Sequence, residues 1–130
     1  MLVFAIPNPP GKNELTRNVA EAERQRARAL GRTLKGRRRT RRYNTWRNAA
    51  RWAMKIEGNR ARTWEPITGP VAVEIITGNR RQDNDAGVMA IFDLFTELRV
   101  WLDDKQVDTH TVKRGAASDT TTVIVRELAA

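Results

Sequence analysis

The chain contains no cysteine and one histidine in 130 residues. Without cysteine there is no disulfide scaffold and no thiolate zinc site, and the composition suits a reducing cytoplasm. His110 falls on a predicted strand with no companion, so it reads as structural. No apolar run reaches the length that spans a bilayer, so no membrane partner is expected. Met1–Pro7 has neither a leading positive charge nor a small-residue cleavage pattern. It reads as a short strand rather than a signal peptide. The length fits a single domain, residues 1–130, with a modest core.

Acid is scarce over residues 17–62, where Glu21, Glu23 and Glu57 face 16 Lys and Arg, a net of about +13. The whole chain is +9, so the remainder carries about −4. A neutral-to-acidic body therefore bears one intensely positive segment. Arg37, Arg38, Arg39, Arg41 and Arg42 form its densest part, and Arg24, Arg26, Arg28, Arg32 and Lys35 precede them. Self-repulsion on this scale disfavours a merely solvated face, and the planar guanidinium suits phosphate, so nucleic acid is the expected partner. Lys12 and Arg51 extend the candidate DNA-binding set.

Leu2–Ile6 predicts a first strand, ended by Pro7-Asn8-Pro9-Pro10-Gly11. A thin apolar stripe (Leu15, Val19, Ala22, Leu30, Leu34) predicts a helix from Glu14 to Leu34 with Asn13 as N-cap. The extended basic segment, helix and loop together, covers about 14–42. A second helix is expected over Thr40–Glu57, with Tyr43, Trp46, Ala50, Ala53 and Ile56 on its apolar face and Gly58 closing it. Val71–Thr77 alternates and is β-branched, which predicts a strand. Asn84–Leu98 has a helical apolar face, and Lys105–Arg114 and Thr120–Arg126 read as strands joined by a hairpin-length turn at Gly115–Ser118. The order β–α–α–β–α–β–β predicts an α/β (α+β) fold with helices on a small mixed sheet of about four strands. Trp46 and Trp101 are expected in the core, Met54 and Met89 as gap-fillers, and Trp52 is the better candidate for stacking on unpaired bases.

Against this basic background stand two pairs of aspartates, Asp83 with Asp85 and Asp103 with Asp104. Each has a plain reading: the first as helix N-caps, the second as a turn before a strand. Clustered carboxylates repel unless a cation compensates, and a hard divalent ion does so while also gripping phosphate oxygens. Both pairs flank the same predicted helix, about 20 Å long. They converge only if Leu102–Val107 runs back along that helix to its entrance.

Pro9-Pro10 after the first strand, the Arg-rich approach to Asp83-x-Asp85, the Phe92-Asp93 pair and Trp101-Leu102-Asp103-Asp104-x-Gln106-Val107 together resemble the RusA-like Holliday junction resolvases. The similarity covers about residues 70–126, with the first strand and Tyr43–Ile56 more loosely alike. It implies a homodimeric endonuclease, dependent on Mg²⁺ with Mn²⁺ as a substitute, that nicks opposed strands of a four-way DNA junction. It implies no small-molecule cofactor, and it suits a bacterial cytoplasm and a phage or prophage source. The catalytic, metal-binding carboxylates fall on Asp83, Asp85 and Asp104, with Asp103 in support. The family pattern continues Asp-x-Asp-Asn-Leu-x-Lys, and here Ala86, Gly87 and Met89 take the last named places. Either another cation among Arg80, Arg81, Lys12 and Lys105 replaces the missing catalytic lysine, which is the expectation, or the enzyme is slow, or the protein binds junctions without cutting them.

Overall fold

Alternation of apolar residues in three segments builds the sheet. The computed structural model describes residues 1–10, 16–18, 21–31, 37–39, 41–61, 64–79 and 87–128. Its elements are β1 (Leu2–Pro7), β2 (Thr16–Asn18), α1 (Glu21–Ala29), β3 (Arg37–Arg39), α2 (Arg41–Ala61), β4 (Val71–Thr77), α3 (Val88–Glu97), β5 (Val107–Arg114) and β6 (Thr120–Glu127). A four-stranded mixed sheet runs β1-β6-β4-β5, with β4 and β5 parallel and the other pairs antiparallel. The α/β architecture with a mixed sheet of four strands is therefore as expected.

The register brings Phe4 opposite Val123 and Val73 opposite Val125, and places Ile75 beside Val123. Because side chains alternate across a strand, these residues share one face. Tyr43, Trp46, Ala50 and Met54 of α2 and Ala90, Ile91, Leu94 and Phe95 of α3 join them in one buried cluster. Phe4 meets both Trp64 and Phe95 edge-on at 5.3 Å, so the first strand is locked to α3. No buried polar side-chain atom lacks a partner among the described residues.

The proline-rich segment after β1 ties three elements together. Trp46 Nε1 donates to the Pro7 carbonyl (2.8 Å), which docks α2. Asn8 donates through its side-chain amide to Ser118 O (2.7 Å), and its carbonyl oxygen accepts from the buried Thr121 hydroxyl (2.6 Å). Pro9 packs against Gly87, the N-cap of α3, which has φ of 81°. A Cβ there would lie 2.2 Å from the Pro9 ring, so only glycine fits this left-handed position. The N-cap being Gly87, neither Asp83 nor Asp85 holds that position.

Several expectations are corrected. Residues 14–34 are not one helix: α1 covers Glu21–Ala29, and the flanking β2 and β3 pair antiparallel as a second, two-stranded sheet. Like charges three and four residues apart destabilise a helix, and Arg24 and Arg28 stand in that relation. Helix α2 continues through Gly58 to Ala61, and its buried face turns at Met54 while Ile56 stays exposed. Helix α3 starts at Val88 instead of Asn84.

Strands β5 and β6 do not form a hairpin, because β4 lies between them. Their connection arcs over the end of β4, spanning roughly 10 Å, or two interstrand spacings. There Gly115 N–H donates to Thr77 O (2.9 Å) and Ser118 N–H to Gly78 O (3.1 Å). A Cβ on Gly78 would meet Ser118 Oγ at 2.3 Å, so the close crossing depends on glycine. Among the described residues, no helix is long and apolar enough to cross a membrane.

Candidate active site

The segment from Trp101 to Val107 is a turn held at both ends. Trp101 is fully buried, donates from Nε1 to Thr96 Oγ1 (2.8 Å) and packs against Phe92 and Phe95. Asp103 then N-caps a short 3₁₀ turn, Asp104–Gln106, its carboxylate accepting from Lys105 N–H (2.9 Å). Gln106 closes the turn from the other side. Its Oε1 accepts from Leu102 N–H (2.8 Å) and Asp103 N–H (3.0 Å), and its Nε2 donates to Ile67 O (2.7 Å) and Gly69 O (3.0 Å).

One glutamine side chain thus fastens the Asp103-Asp104 turn to the approach to β4. Replacing it by leucine removes four hydrogen bonds and strands two carbonyls in a partly buried place. Gln106→Leu is expected to lower stability by roughly 2 kcal/mol, measured by urea unfolding. Wild-type stability in that variant would mean the turn supports itself.

The Lys105 N–H holds the Asp103 carboxyl below the usual aspartate range, against a smaller opposing effect of desolvation. A depressed carboxylate stabilises the fold above its ordinary titration range and loses that contribution as pH falls through the lowered value. The cap is therefore intact at neutral pH. Asp104 stands exposed at the first position of the turn.

Asp103 and Asp104 line a groove of about 500 Å³ with Leu102, Asp93, Thr96 and Glu97 of α3 and Arg47 of α2. Arg47 grips Glu97 with two nitrogens, Nε to Oε2 at 2.7 Å and Nη2 to Oε1. Such an exposed pair is worth less than about 1 kcal/mol, so its effect is orientation rather than stability. Among the described lining residues, four carboxylates stand against one guanidinium, an acidic set in a chain of +9. Glu97 and Arg47 were not legible as groove residues. Glu97 lies one helical turn after Asp93, a usable signal, but Arg47 is 50 residues away in sequence.

The turn lies beside the C-terminal half of α3 and does not return to the helix entrance. The reason is the register of β5: Val107 pairs with Val71, the first residue of β4, so Asp104 is fixed at that end of the sheet. Met89 is corrected as well. It is 62% exposed on the first turn of α3, one turn before Asp93, and fills no gap.

Asp83, Asp85, Arg80, Arg81, Lys12, Arg32 and Lys35 lie outside the described residues. The backbone puts Arg24 on α1 and Arg37, Arg38 and Arg39 on β3. Arg28, Arg41 and Arg42 are exposed, and Arg51 is half-buried. Among the described residues, no three histidine or acidic side chains are gathered closely enough to hold a metal ion. Asp103 and Asp104 are hard oxygen donors of the kind Mg²⁺ takes, and they are two. His110, on β5, packs edge-on against Phe92 (5.5 Å). No model of a known protein family matches the chain, and a search of curated proteins found no relative.

Proposed function

We propose that the protein is a structure-selective endonuclease that resolves four-way DNA junctions by divalent-metal-dependent phosphodiester hydrolysis. Its resemblance to the RusA-like resolvases motivates the reading. The observation that carries it is the Gln106-braced turn, which holds Asp104 exposed at the rim of an acidic groove inside a strongly basic protein. Rigid display of a carboxylate in water has little structural use, whereas a metal site needs a first shell held by a second.

Asp83, Asp85 and Asp104 would hold the ion, with Asp103 positioning Asp104 from the neighbouring place. Chain length permits this. Asp93 is about 9 Å along α3 from Gly87; Asp85, two residues before Gly87, reaches about 7 Å by its backbone, and its side chain with two metal–oxygen distances of about 2 Å each covers the remainder. The reading thus requires residues 80–86 to come back along α3 toward the groove. Mg²⁺ held there, with Mn²⁺ as a substitute, would supply an activated water and offset charge on the phosphate. The carboxylates fix charge and direction, and a cation from Arg80, Arg81, Lys12 or Lys105 would balance the negative charge that builds at phosphorus. Two protomers would cut opposed strands. A bacterial cytoplasm, with a phage or prophage source, fits this reading.

A second reading has its own observation. Met89, not lysine, occupies the first turn of α3, and an exposed thioether stabilises no phosphoryl charge. On that reading the protein binds junctions without cutting them. Incubation with a labelled four-way junction, with and without Mg²⁺ or Mn²⁺, separates the two. Paired symmetric nicks support the nuclease, tight structure-selective binding without nicks supports the second reading, and preference for RNA defeats both.

The basic segment supplies contacts that position the backbone without reading sequence. Replacing Arg38, Arg39 and Arg41 together by glutamine should weaken junction binding and reduce the slope of log K against log salt by about 2 to 3. An unchanged slope would remove these residues from the interface.

A further inference from the structure

Among the described residues, helix α2 carries a second face that stays outside the core. Opposite the buried Tyr43, Trp46, Ala50 and Met54, residues Asn48, Arg51, Trp52 and Lys55 line a shallow depression of about 300 Å³. Their spacing follows the helical repeat, so they form one strip roughly 10 Å long. Trp52 is 69% exposed at its centre. The other tryptophans are committed elsewhere: Trp46 and Trp101 are in the core, and Trp64 is half-buried and donates to Leu98 O (3.3 Å).

An indole left in water forgoes the burial of a very large apolar surface, and here it also shares its depression with two cations. Arg51 and Lys55 line the depression with it, Arg41 and Arg42 are exposed earlier on the same helix, and no acid lines the depression among the described residues. That charge selects a polyanion, and the flat π-face in its middle selects a ring. Paired bases in a duplex keep their faces hidden in the stack, so the matching ligand is an unpaired one.

We infer that this face of α2 is a subsite for an unpaired nucleobase in single-stranded DNA. Trp52 stacks on the base, Arg51 and Lys55 hold the adjoining phosphates, and the Ile56 side chain, exposed one turn further on, borders the sugar. The inference rests on the reading that DNA is the ligand, and it adds which part of the DNA this helix takes.

The test uses the full chain in metal-free buffer with a twelve-residue oligothymidylate. Trp52 is by far the most exposed tryptophan among those described, so stacking quenches the solvent-exposed part of the emission. Binding of the labelled oligonucleotide, read by anisotropy, should fall about tenfold in Trp52→Ala and be largely recovered in Trp52→Phe. A duplex of equal length should bind without the quench. Unchanged affinity in Trp52→Ala overturns the subsite, as does absence of quenching or equal quenching by duplex. Equal quenching by polyglutamate overturns it in favour of an acidic peptide, and self-association that disappears in Trp52→Ala overturns it in favour of a second copy of the chain. Since neither metal nor cleavage is involved, the two proposals fail separately. A chain that nicks junctions yet loses no oligonucleotide affinity in Trp52→Ala defeats this subsite alone, and one that shows the quench but never nicks defeats the nuclease alone.

Discussion

Asp104→Asn is expected to reduce Mg²⁺-dependent nicking of a four-way junction by at least about a hundredfold while leaving junction affinity unchanged or raised. Losing an outer-shell partner of a metal already costs tenfold to a hundredfold, and losing a ligand should cost no less. The substitution keeps the shape of the side chain and removes one negative charge facing DNA. Because Asp104 is exposed, folding stability should stay within about 0.5 kcal/mol of wild type, so unfolding would not explain the loss. Single-turnover cleavage and gel-shift titration on the same samples give both readouts. Wild-type cutting by Asp104→Asn would take this residue out of the metal site and leave the groove without a catalytic assignment.

The second large effect is on stability. Trp101→Ala should cost roughly 4 kcal/mol, measured by guanidinium unfolding, because a fully buried indole leaves both lost burial and an unfilled void. Three particular contacts go with it: the Thr96 hydroxyl loses its donor, and Phe92 and Phe95 each lose a ring neighbour. Domains of this size are stable by only about 5 to 15 kcal/mol, so this one position accounts for a large share. Trp101→Phe, which refills part of the volume, should fall between the two. A loss below about 1 kcal/mol would mean that Trp101 does not anchor the turn.

What the sequence revealed and what it hid divide along the range of the forces involved. Val71–Thr77 and Thr120–Glu127 alternate because each has one face on a core, and that pattern is local. The same holds for Ile91, Leu94 and Phe95, whose helical spacing names their buried side directly. Strand pairing is not local. Nothing in Gly115–Ser118 distinguishes a hairpin from an arc over β4, since both need a short polar connection with glycine. Arg37–Arg39 has poor strand character, and its pairing with Thr16–Asn18 depends on a partner 19 to 23 residues away. In the candidate site, Asp103 could be read as a turn residue from its neighbours, and it caps the 3₁₀ turn as that reading expects. The position of that turn along α3 depends on Val107 meeting Val71, a long-range register that no short motif carries.

The place of β6 between β1 and β4 has a consequence for how the chain is made. Leu2–Pro7 finds its ladder partner only in residues 113 to 123 positions later. During synthesis β1 therefore stays without its ladder partner, held only by its packing on α2 and α3, until Thr120–Glu127 has left the ribosome. Vectorial folding can assemble β4, α3 and β5 beforehand, but the four-stranded sheet is complete only once β6 inserts between β1 and β4. Nascent or truncated chains lacking Thr120–Glu127 should be ready prey for chaperones and proteases, and only the arrival of that strand releases them.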